Sequence, residues 1–258
     1  MPGQHYTDTT NQNSLEGTIY GDKFWGLDFD DYIWGREGND TAYGGADDDH
    51  IYGGDGDDVL YGDTGRDSLY GGRDSDQLYG GGGEDRLSGG KGDDHLFGGN
   101  RDDILFGGDG HDELDGGSGA DSLYGQVGSD TLRGNEGDDR LSGGKGHDYL
   151  FGGTGDDELF GGNGNDQLTA GRGENVLHGG VGTDVFIFAA STLDDVNRIS
   201  DYQDGTDTIV VDVSPSQMDD VFVADQGNNA VILIAGVDGQ IVVEDAAGDL
   251  TLSDIWIY

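Results

Sequence analysis

Apolar residues, large in all copies but that of Ala42, recur at every ninth position of this chain from Phe24 to Phe186. They belong to a nine-residue pattern, G-G-x-G-x-D-x-U-x with U apolar, which repeats nineteen times without insertion from Gly17 to Ile187. The apolar residue at position 8 lies between variable residues, and this alternation predicts a short strand with one buried face. Glycine at the first positions permits tight turns. Each copy therefore predicts a six-residue loop followed by a three-residue strand.

The spacing of the strands predicts the fold. Two copies make one coil with strands on opposite faces, and the residues at position 8 stack into a thin core of Leu, Ile and Phe. Strands of successive coils are expected about 4.8 Å apart, and nineteen copies give nine to ten coils. We therefore predict an all-β protein, a right-handed parallel β-roll with a small C-terminal antiparallel β cap.

The limits of the repeat divide the chain into three zones. Residues 1–16 are a polar N-terminal lead that we expect to lack regular structure, although Leu15 keeps the register of position 8. Residues 17–187 form the roll of nineteen nonapeptides. In residues 188–258 glycine becomes rarer and β-branched residues become more frequent, which predicts further strands. The expected strands of this cap are 208–213, 221–224, 230–235, 241–244 and 255–258.

Charge narrows the classes of function. The chain of 258 residues has 54 acidic and 12 basic residues, a formal net charge of −42 at pH 7. Such a polyanion is expected to repel nucleic acid and anionic membranes. Cysteine is absent, so no disulfide or thiol metal site is available. The first residues lack the features of a secretory signal peptide, and no apolar run reaches the length of a membrane span.

Position 6 of the repeat is the candidate metal-binding position. It is Asp in eighteen of the nineteen copies, and loops on one edge of a roll bring together the aspartates of copies n and n+2 with glycine carbonyls. These oxygen ligands suit Ca²⁺, whereas zinc prefers nitrogen and sulfur and magnesium retains its water. We predict several structural Ca²⁺ ions and a fold that depends on them. The predicted ligands are Asp40, Asp49, Asp58, Asp67, Asp76, Asp85, Asp94, Asp103, Asp112, Asp121, Asp130, Asp139, Asp148, Asp157, Asp166 and Asp184.

The first two copies depart from the pattern. Tyr20 and Phe29 replace glycine at position 4. We therefore leave Asp22 and Asp31 out of the predicted ligands and expect these copies to cap the open end of the roll.

Two later copies are expected to bind calcium more weakly. Arg101 stands at position 4 and brings positive charge to the loop of Asp103. Asn175 stands at position 6 and keeps a carbonyl oxygen but carries no charge. We expect weaker binding at both places.

The repeat resembles the RTX, or haemolysin-type, family of calcium-binding nonapeptides. Residues 182–188 and 201–209 are similar to the segment that follows the repeats in RTX proteins, and residues 254–258 are similar to the C-terminal signal of type I secretion. The resemblance implies a protein that the type I machinery of a Gram-negative bacterium exports. It also implies a chain that is unfolded in the low-calcium cytosol and folded outside the cell.

No catalytic motif accompanies the repeat, and we predict that the chain is not an enzyme. Neither H-E-x-x-H nor G-x-S-x-G occurs, and the six histidines form no common row. Three roles stay open. The chain is a module for export, stability or extracellular scaffolding, or a surface adhesin or polysaccharide-binding protein, or the C-terminal RTX module of a larger secreted enzyme such as a protease, lipase or epimerase.

Position 9 is the basis of the second role, because it is aromatic in twelve copies. Outward rings would either stack and stiffen the sheet or form a binding strip for a polysaccharide or another surface. Alternate copies lie on opposite faces. One face is expected to carry Trp25, Tyr43, Tyr61, Tyr79 and Phe97, and the other Trp34, Tyr52 and Tyr70.

Overall fold

A computed structural model describes most of the chain. The described residues are 3–7, 14–189, 191, 193, 195–203, 206–213, 221–226, 229–234, 237, 239–244, 250–251 and 254–257, without the side chains of 221, 225, 226 and 229. They contain no α-helix, and so none that is long and apolar enough to cross a membrane. The chain divides into two compact units, residues 1–131 and 132–258.

The first unit consists of two parallel sheets. Odd-numbered strands form one sheet and even-numbered strands the other, and each strand pairs with the strand one coil later at a spacing of eighteen residues. The strands are β1 (His5–Thr7), β2 (Ser14–Glu16), β3 (Lys23–Asp28), β4 (Tyr32–Glu37), β5 (Thr41–Ala46), β6 (His50–Asp55), β7 (Val59–Thr64), β8 (Ser68–Arg73), β9 (Gln77–Gly82), β10 (Arg86–Lys91), β11 (His95–Asn100), β12 (Ile104–Asp109), β13 (Glu113–Ser118) and β14 (Ser122–Val127).

The second unit has the same architecture and ends in a cap. Here the two sheets have the orders β17-β19-β21-β23-β27 and β16-β18-β20-β22-β26-β25-β24. The strands, with β15 beginning at the unit boundary, are β15 (Thr131–Glu136), β16 (Arg140–Lys145), β17 (Tyr149–Thr154), β18 (Glu158–Asn163), β19 (Gln167–Arg172), β20 (Val176–Val181), β21 (Val185–Ala189), β22 (Val196–Ile199), β23 (Thr208–Asp212), β24 (Val221–Gln226), β25 (Asn229–Ile234), β26 (Gln240–Val243) and β27 (Ile255–Ile257).

These sheets confirm the predicted all-β parallel roll, with two differences in detail. Strands β3 to β20 have six residues each rather than three, because each continues through positions 1 to 3 of the next copy. Leu60 pairs with Leu78 and Tyr61 with Tyr79, and the pairing then omits the glycine at position 1 and resumes at Asp63. Among the described residues of the cap, only β24, β25 and β26 pair antiparallel, whereas β22, β23, β26 and β27 extend the parallel sheets.

The roll also begins earlier than its consensus repeats. Strands β1 and β2 lie within residues 1–16, where the sequence predicted a polar lead without regular structure. Tyr6 pairs with Phe24, and Leu15 pairs with Ile33. Several residues of that lead, 1–2 and 8–13, lie outside the described part of the chain.

The core is a stack of one apolar side chain per copy. Position 8 is fully buried from Phe24 to Phe186, apart from a 1% exposure of Ala42. The residues at position 9 are only partly buried because they point to the other face of the strand. Position 6 is buried as well. The core of the roll is therefore bordered by carboxylates rather than by a second apolar layer.

Candidate metal centre

A ladder of hydrogen bonds connects the aspartates at position 6. Each aspartate stands just before a strand, and in most copies its backbone N–H donates to Oδ1 of the aspartate one coil later. Asp58 donates to Asp76 at 2.8 Å, and Asp76 donates to Asp94 at 2.8 Å. Their relative exposure is no more than 1%. The repeat thus places one buried carboxylate per copy in register along each edge of the roll.

The second carboxylate oxygen, Oδ2, differs from Oδ1 in its hydrogen bonding. In the part of the chain that the structure describes, Oδ2 is buried without a hydrogen-bond partner in a set of these aspartates. Burial of a charged oxygen without a partner is costly unless a cation or donor compensates it. The set consists of Asp40, Asp49, Asp58, Asp67, Asp76, Asp85, Asp94, Asp103, Asp112, Asp157, Asp166 and Asp184.

The remaining predicted ligands occupy the same position of the repeat. They are buried to the same degree and precede strands in the same way. They are Asp121, Asp130, Asp139 and Asp148.

Glycine at position 1 makes room for the unpartnered oxygen. A Cβ atom on Gly44 would lie closer than 3.0 Å both to Oδ2 of Asp49 and to the carbonyl oxygen of Gly62. A carboxylate oxygen and a backbone carbonyl oxygen therefore approach one another beside a residue that has no side chain. This all-oxygen arrangement fits a hard cation such as Ca²⁺.

Burial changes the acidity of the same carboxylates. Desolvation raises the pKa of Asp76 to about 8, and negative charge on Asp58 and Asp94 adds to this effect against the hydrogen bond from the Asp58 N–H. The pKa of Asp49 and of Asp103 is likewise raised to about 8. A protein without bound cations thus resists ionisation of the ladder, whereas a bound cation would favour the charged form.

Side-chain carboxylates alone do not surround a cation here. Among the described residues, no three His, Asp or Glu side chains converge in a way that could hold a metal ion. The ligand set predicted from the sequence, aspartates together with glycine carbonyls, does not require such a cluster of side chains.

Comparison with known families identifies this arrangement. The RTX calcium-binding nonapeptide repeat (4 copies) matches residues 16–51, 25–60, 35–69, 52–87, 61–96, 88–123, 97–132, 124–159 and 151–186. Together these matches cover about two thirds of the chain. The chain belongs to the RTX calcium-binding repeat family. Its parallel β-roll is therefore a calcium-binding RTX roll, and the family resemblance seen in the sequence is confirmed.

Two solved structures are similar to parts of this RTX chain. The extracellular lipase LipA from Serratia marcescens is 15% identical with a TM-score of 0.36, and the match covers 92% of this chain and 40% of the lipase. The AlgE6R3 subunit of the Azotobacter vinelandii mannuronan C5-epimerase is 26% identical with a TM-score of 0.28, and the match covers 60% of this chain and 78% of the subunit. The chain spans less than half of the lipase. Among curated proteins there is no match.

In the first RTX copy, protein groups donate hydrogen bonds to both carboxylate oxygens of the position-6 aspartate. Oδ1 of Asp22 accepts a hydrogen bond from the Gln4 N–H, and Oδ2 accepts the N–H and the hydroxyl of Thr18, at 2.7 and 2.9 Å. Burial acts to raise the pKa of Asp22, but these hydrogen bonds outweigh it, and the pKa is lowered. Both carboxylate oxygens of Asp22 therefore have protein donors, unlike those of Asp58 or Asp76.

Sequence reasoning missed a second ladder at position 5. Its bonds run in the opposite sense, because the side chain accepts the N–H of position 5 one coil later. The Ser75 N–H donates to Oδ1 of Asp57 at 3.1 Å, and the Ser129 N–H donates to Nδ1 of His111 at 2.8 Å. The recurrence of Asp, Asn and His at this position was the available signal. Positions 5 and 6 together join neighbouring loops by reciprocal side-chain bonds.

The aromatic residues at position 9 stack along the RTX roll. Ring centroids of Tyr43 and Tyr61 are 4.8 Å apart with an interplanar angle of 3°, and those of Tyr61 and Tyr79 are 4.8 Å apart at 8°. The other sheet shows the same spacing between Tyr52 and Tyr70. Each inner ring has its two faces covered by neighbouring rings, so that only ring edges point to solvent. This geometry agrees with the stacking alternative.

Proposed function

We propose that this RTX chain is a secreted calcium-binding protein whose roll folds as it binds several Ca²⁺ ions. Its role is export, stability or extracellular scaffolding, and it has no catalytic centre of its own. The observation that supports this most directly is the row of buried, unpartnered Oδ2 atoms. A fold that gathers like charges in its interior requires compensating positive charge.

The ions are proposed to bind at the position-6 aspartates named from the sequence, which are every ninth residue from Asp40 to Asp166, together with Asp184. Glycine carbonyls complete the ligand set. Bound Ca²⁺ supplies positive charge at oxygen atoms that the protein itself leaves without donors. The N–H groups of position 6 hold Oδ1 and thereby orient Oδ2. Glycine at position 1 excludes any side chain from the space beside Oδ2.

Calcium-dependent folding is tested by circular dichroism and size-exclusion chromatography of the full chain. In excess chelator we expect little β signal and a large hydrodynamic radius. Addition of Ca²⁺ should produce a β spectrum and a compact species, because metal binding is coupled to folding. The same ionic strength supplied as Mg²⁺ is the control for charge screening. A complete β spectrum in chelator would refute the proposed coupling.

Export is proposed from the resemblance of residues 254–258 to a type I secretion signal. Within this segment Trp256 is 68% exposed in the folded chain, so a substitution there should leave the fold intact, whereas residue 258 lies outside the described part of the chain. A Gram-negative host that expresses type I machinery should secrete the wild-type chain. Trp256→Asp should reduce the secreted fraction without changing calcium-dependent folding of the purified protein. Equal secretion of both chains, or secretion by a host that lacks this machinery, would contradict the proposal.

A depression in the first unit supports a second candidate, binding of a neutral saccharide. Its volume is about 270 Å³, and its lining includes Trp25, Leu27, Asp28, Tyr43 and Asp63. Leu27 and Asp63 are neighbours of Gly45 on either side in the sheet, so the missing side chain of glycine opens a gap between them. Sugar hydroxyls can donate to the two carboxylates, and Leu27 offers an apolar contact.

Saturation-transfer NMR with neutral oligosaccharides tests this candidate on the calcium-loaded chain. Asp63→Asn and Leu27→Gly should weaken any binding, whereas Tyr124→Ser, which lies outside the depression, should not. Absence of saturation transfer, or equal transfer in all three variants, would exclude a saccharide site at this place.

A further inference from the structure

The eighteenth copy of the repeat, residues 170–178, departs from the consensus at two positions at once. Ala170 replaces glycine at position 1, and Asn175 replaces aspartate at position 6. Neither substitution occurs in any other copy. The two positions are in contact elsewhere, because a Cβ atom on Gly152 or Gly161 would lie closer than 3.0 Å to the Oδ2 atom of the aspartate in the same copy. The paired change therefore concerns one place in the structure.

The side chain of Asn175 has every polar atom satisfied. Its Oδ1 accepts the Asp157 N–H at 2.9 Å, as an aspartate of the ladder would. Its Nδ2 donates to the carbonyl oxygen of Gly173 at 3.2 Å and to Oδ1 of Asn197 at 2.8 Å. This pattern of one donor and two acceptors determines the orientation of the amide. Asn175 and Asn197 are both completely buried.

Nδ2 of Asn175 stands where an aspartate at position 6 has Oδ2, so its contacts show the surroundings of that oxygen. In this copy the atom lies between a carbonyl oxygen of its own loop and a carboxamide oxygen of the following coil. An oxygen in the same place would face two further oxygens. In the aspartate copies this is where the structure leaves Oδ2 without a donor, and here an NH₂ group supplies the donor.

We infer that the eighteenth copy is a calcium-free rung, in which the amide of Asn175 takes the place of a cation and the methyl group of Ala170 fills the space beside it. The calcium-binding series of the even-numbered copies therefore ends before Asn175. This inference rests on the proposed function, since it presupposes that the other copies bind calcium. It deepens that proposal by stating which rung binds none and why.

Protein donors also satisfy the carboxylates where the ladder begins and where it ends. Oδ2 of Asp22 accepts donors from Thr18. Beyond the last copy, Asp207 takes the place of a position-6 aspartate, with Oδ1 accepting the Asp184 N–H at 3.0 Å and Oδ2 accepting the Gln203 N–H at 2.9 Å. Protein donors thus replace the cation where the regular roll begins and where it ends.

The inference is tested by restoring the consensus in the full chain. Ala170→Gly combined with Asn175→Asp should add one Ca²⁺ per folded chain, counted by atomic emission after gel filtration. Ala170→Gly alone is the control and should leave the count unchanged. The converse pair, Gly161→Ala with Asp166→Asn, makes the same changes in the preceding copy and should lower the count by at least one.

A double variant that folds without gaining calcium, while the converse pair loses it, would overturn the inference. A further variant, Asn175→Ala, keeps the test decisive if the restored carboxylate prevents folding. It should retain the wild-type calcium count and lower the melting temperature of the calcium-loaded chain by a few degrees, because it leaves buried acceptors unpaired. A lower calcium count in Asn175→Ala would show that this copy does bind the ion. If the wild-type chain folds without calcium, the proposed function fails, yet the comparison of counts still decides whether this rung is metal-free.

Discussion

The backbone N–H of Asp58 donates to Oδ1 of Asp76 at 2.8 Å, whereas Oδ2 of Asp76 is buried without a hydrogen-bond partner. One carboxylate therefore performs two tasks with two oxygens. The first joins a loop to the loop one coil earlier, and the second is left for a ligand from outside the chain. Substitutions can separate these tasks, because an amide preserves the acceptor but replaces the second oxygen.

Asp76→Asn should bind fewer Ca²⁺ ions and require a higher calcium concentration for folding. The volume of the side chain and the hydrogen bond from Asp58 are preserved, so the loss of calcium binding measures the contribution of Oδ2. Calcium counts and the midpoint of a calcium titration followed by circular dichroism measure the effect. Asp109→Asn is the matched control, because Asp109 is exposed at position 3. Equal midpoints in the two variants would contradict the role assigned to Oδ2.

Lowering the pH should stabilise the metal-free chain, whereas the calcium concentration needed for folding should change little between about pH 6 and 8.5. Burial raises the pKa of Asp85 to about 6 and, reinforced by neighbouring carboxylates, that of Asp103 to about 8 in the metal-free fold. A folded pKa above the unfolded value stabilises the metal-free fold at low pH, and this contribution is lost as the pH rises through about 6 to 8. The unfolded chain and the calcium-loaded roll both carry ionised aspartates above about pH 6, because an unperturbed aspartate has a pKa of about 3.9. Folding on calcium therefore releases few protons in this range.

Two measurements check this pH dependence. In chelator, acidification from pH 8 towards 5 should increase the β signal. Calcium titrations between about pH 6 and 8.5 should show a nearly constant midpoint, and calorimetry in buffers of different ionisation enthalpy should show little proton release. A β signal in chelator that does not rise on acidification would contradict protonation of the buried ladder. A midpoint that falls strongly with increasing pH would show that a protonated, folded state precedes calcium binding.

Leu114→Ala should lower the free energy of unfolding of the calcium-loaded chain by about 2–5 kcal/mol. Leu114 is fully buried and pairs with Leu96, and the thin core has no second apolar layer that could fill the cavity. Denaturant titration in saturating calcium measures the change. Val127→Ala, at a side chain that is 43% exposed, should stay within about 0.5 kcal/mol of wild type. Equal losses would argue against a core formed by position 8.

Gln126→Gly and Gly108→Ala should change stability in opposite directions. The two residues pair with each other at position 2, with φ of 79° and 127°. Glycine relieves the left-handed strain of Gln126, and we expect a gain of about 0.5–1 kcal/mol. Alanine at residue 108 would add that strain and place its Cβ closer than 3.0 Å to the Gly90 carbonyl oxygen. Denaturant midpoints in calcium measure both, and a stabilising Gly108→Ala would contradict this backbone argument.

Much of the fold follows from the repeat itself because its interactions are local and periodic. Leu60 and Leu78 could be placed in register from their spacing of eighteen residues alone. The length of the strands could not be predicted in this way. Glycines at positions 1 and 2 are typical of loops, yet here the strand runs through them and its pairing resumes at position 2. The strands at His5–Thr7 and Ser14–Glu16 were missed for a related reason, since they pair in register without the glycine pattern.

The sequence by itself determined the roll, the stacked apolar core, the calcium-binding family and the row of position-6 carboxylates, since a strict nine-residue period permits few other arrangements. Only the tertiary structure decided which oxygen of each carboxylate is engaged and which is left over. It also showed that Asp22, Asn175 and Asp207 are completed by the protein's own donors. The physical reason is that hydrogen-bond satisfaction depends on groups eighteen or more residues away, and a local pattern does not contain their positions.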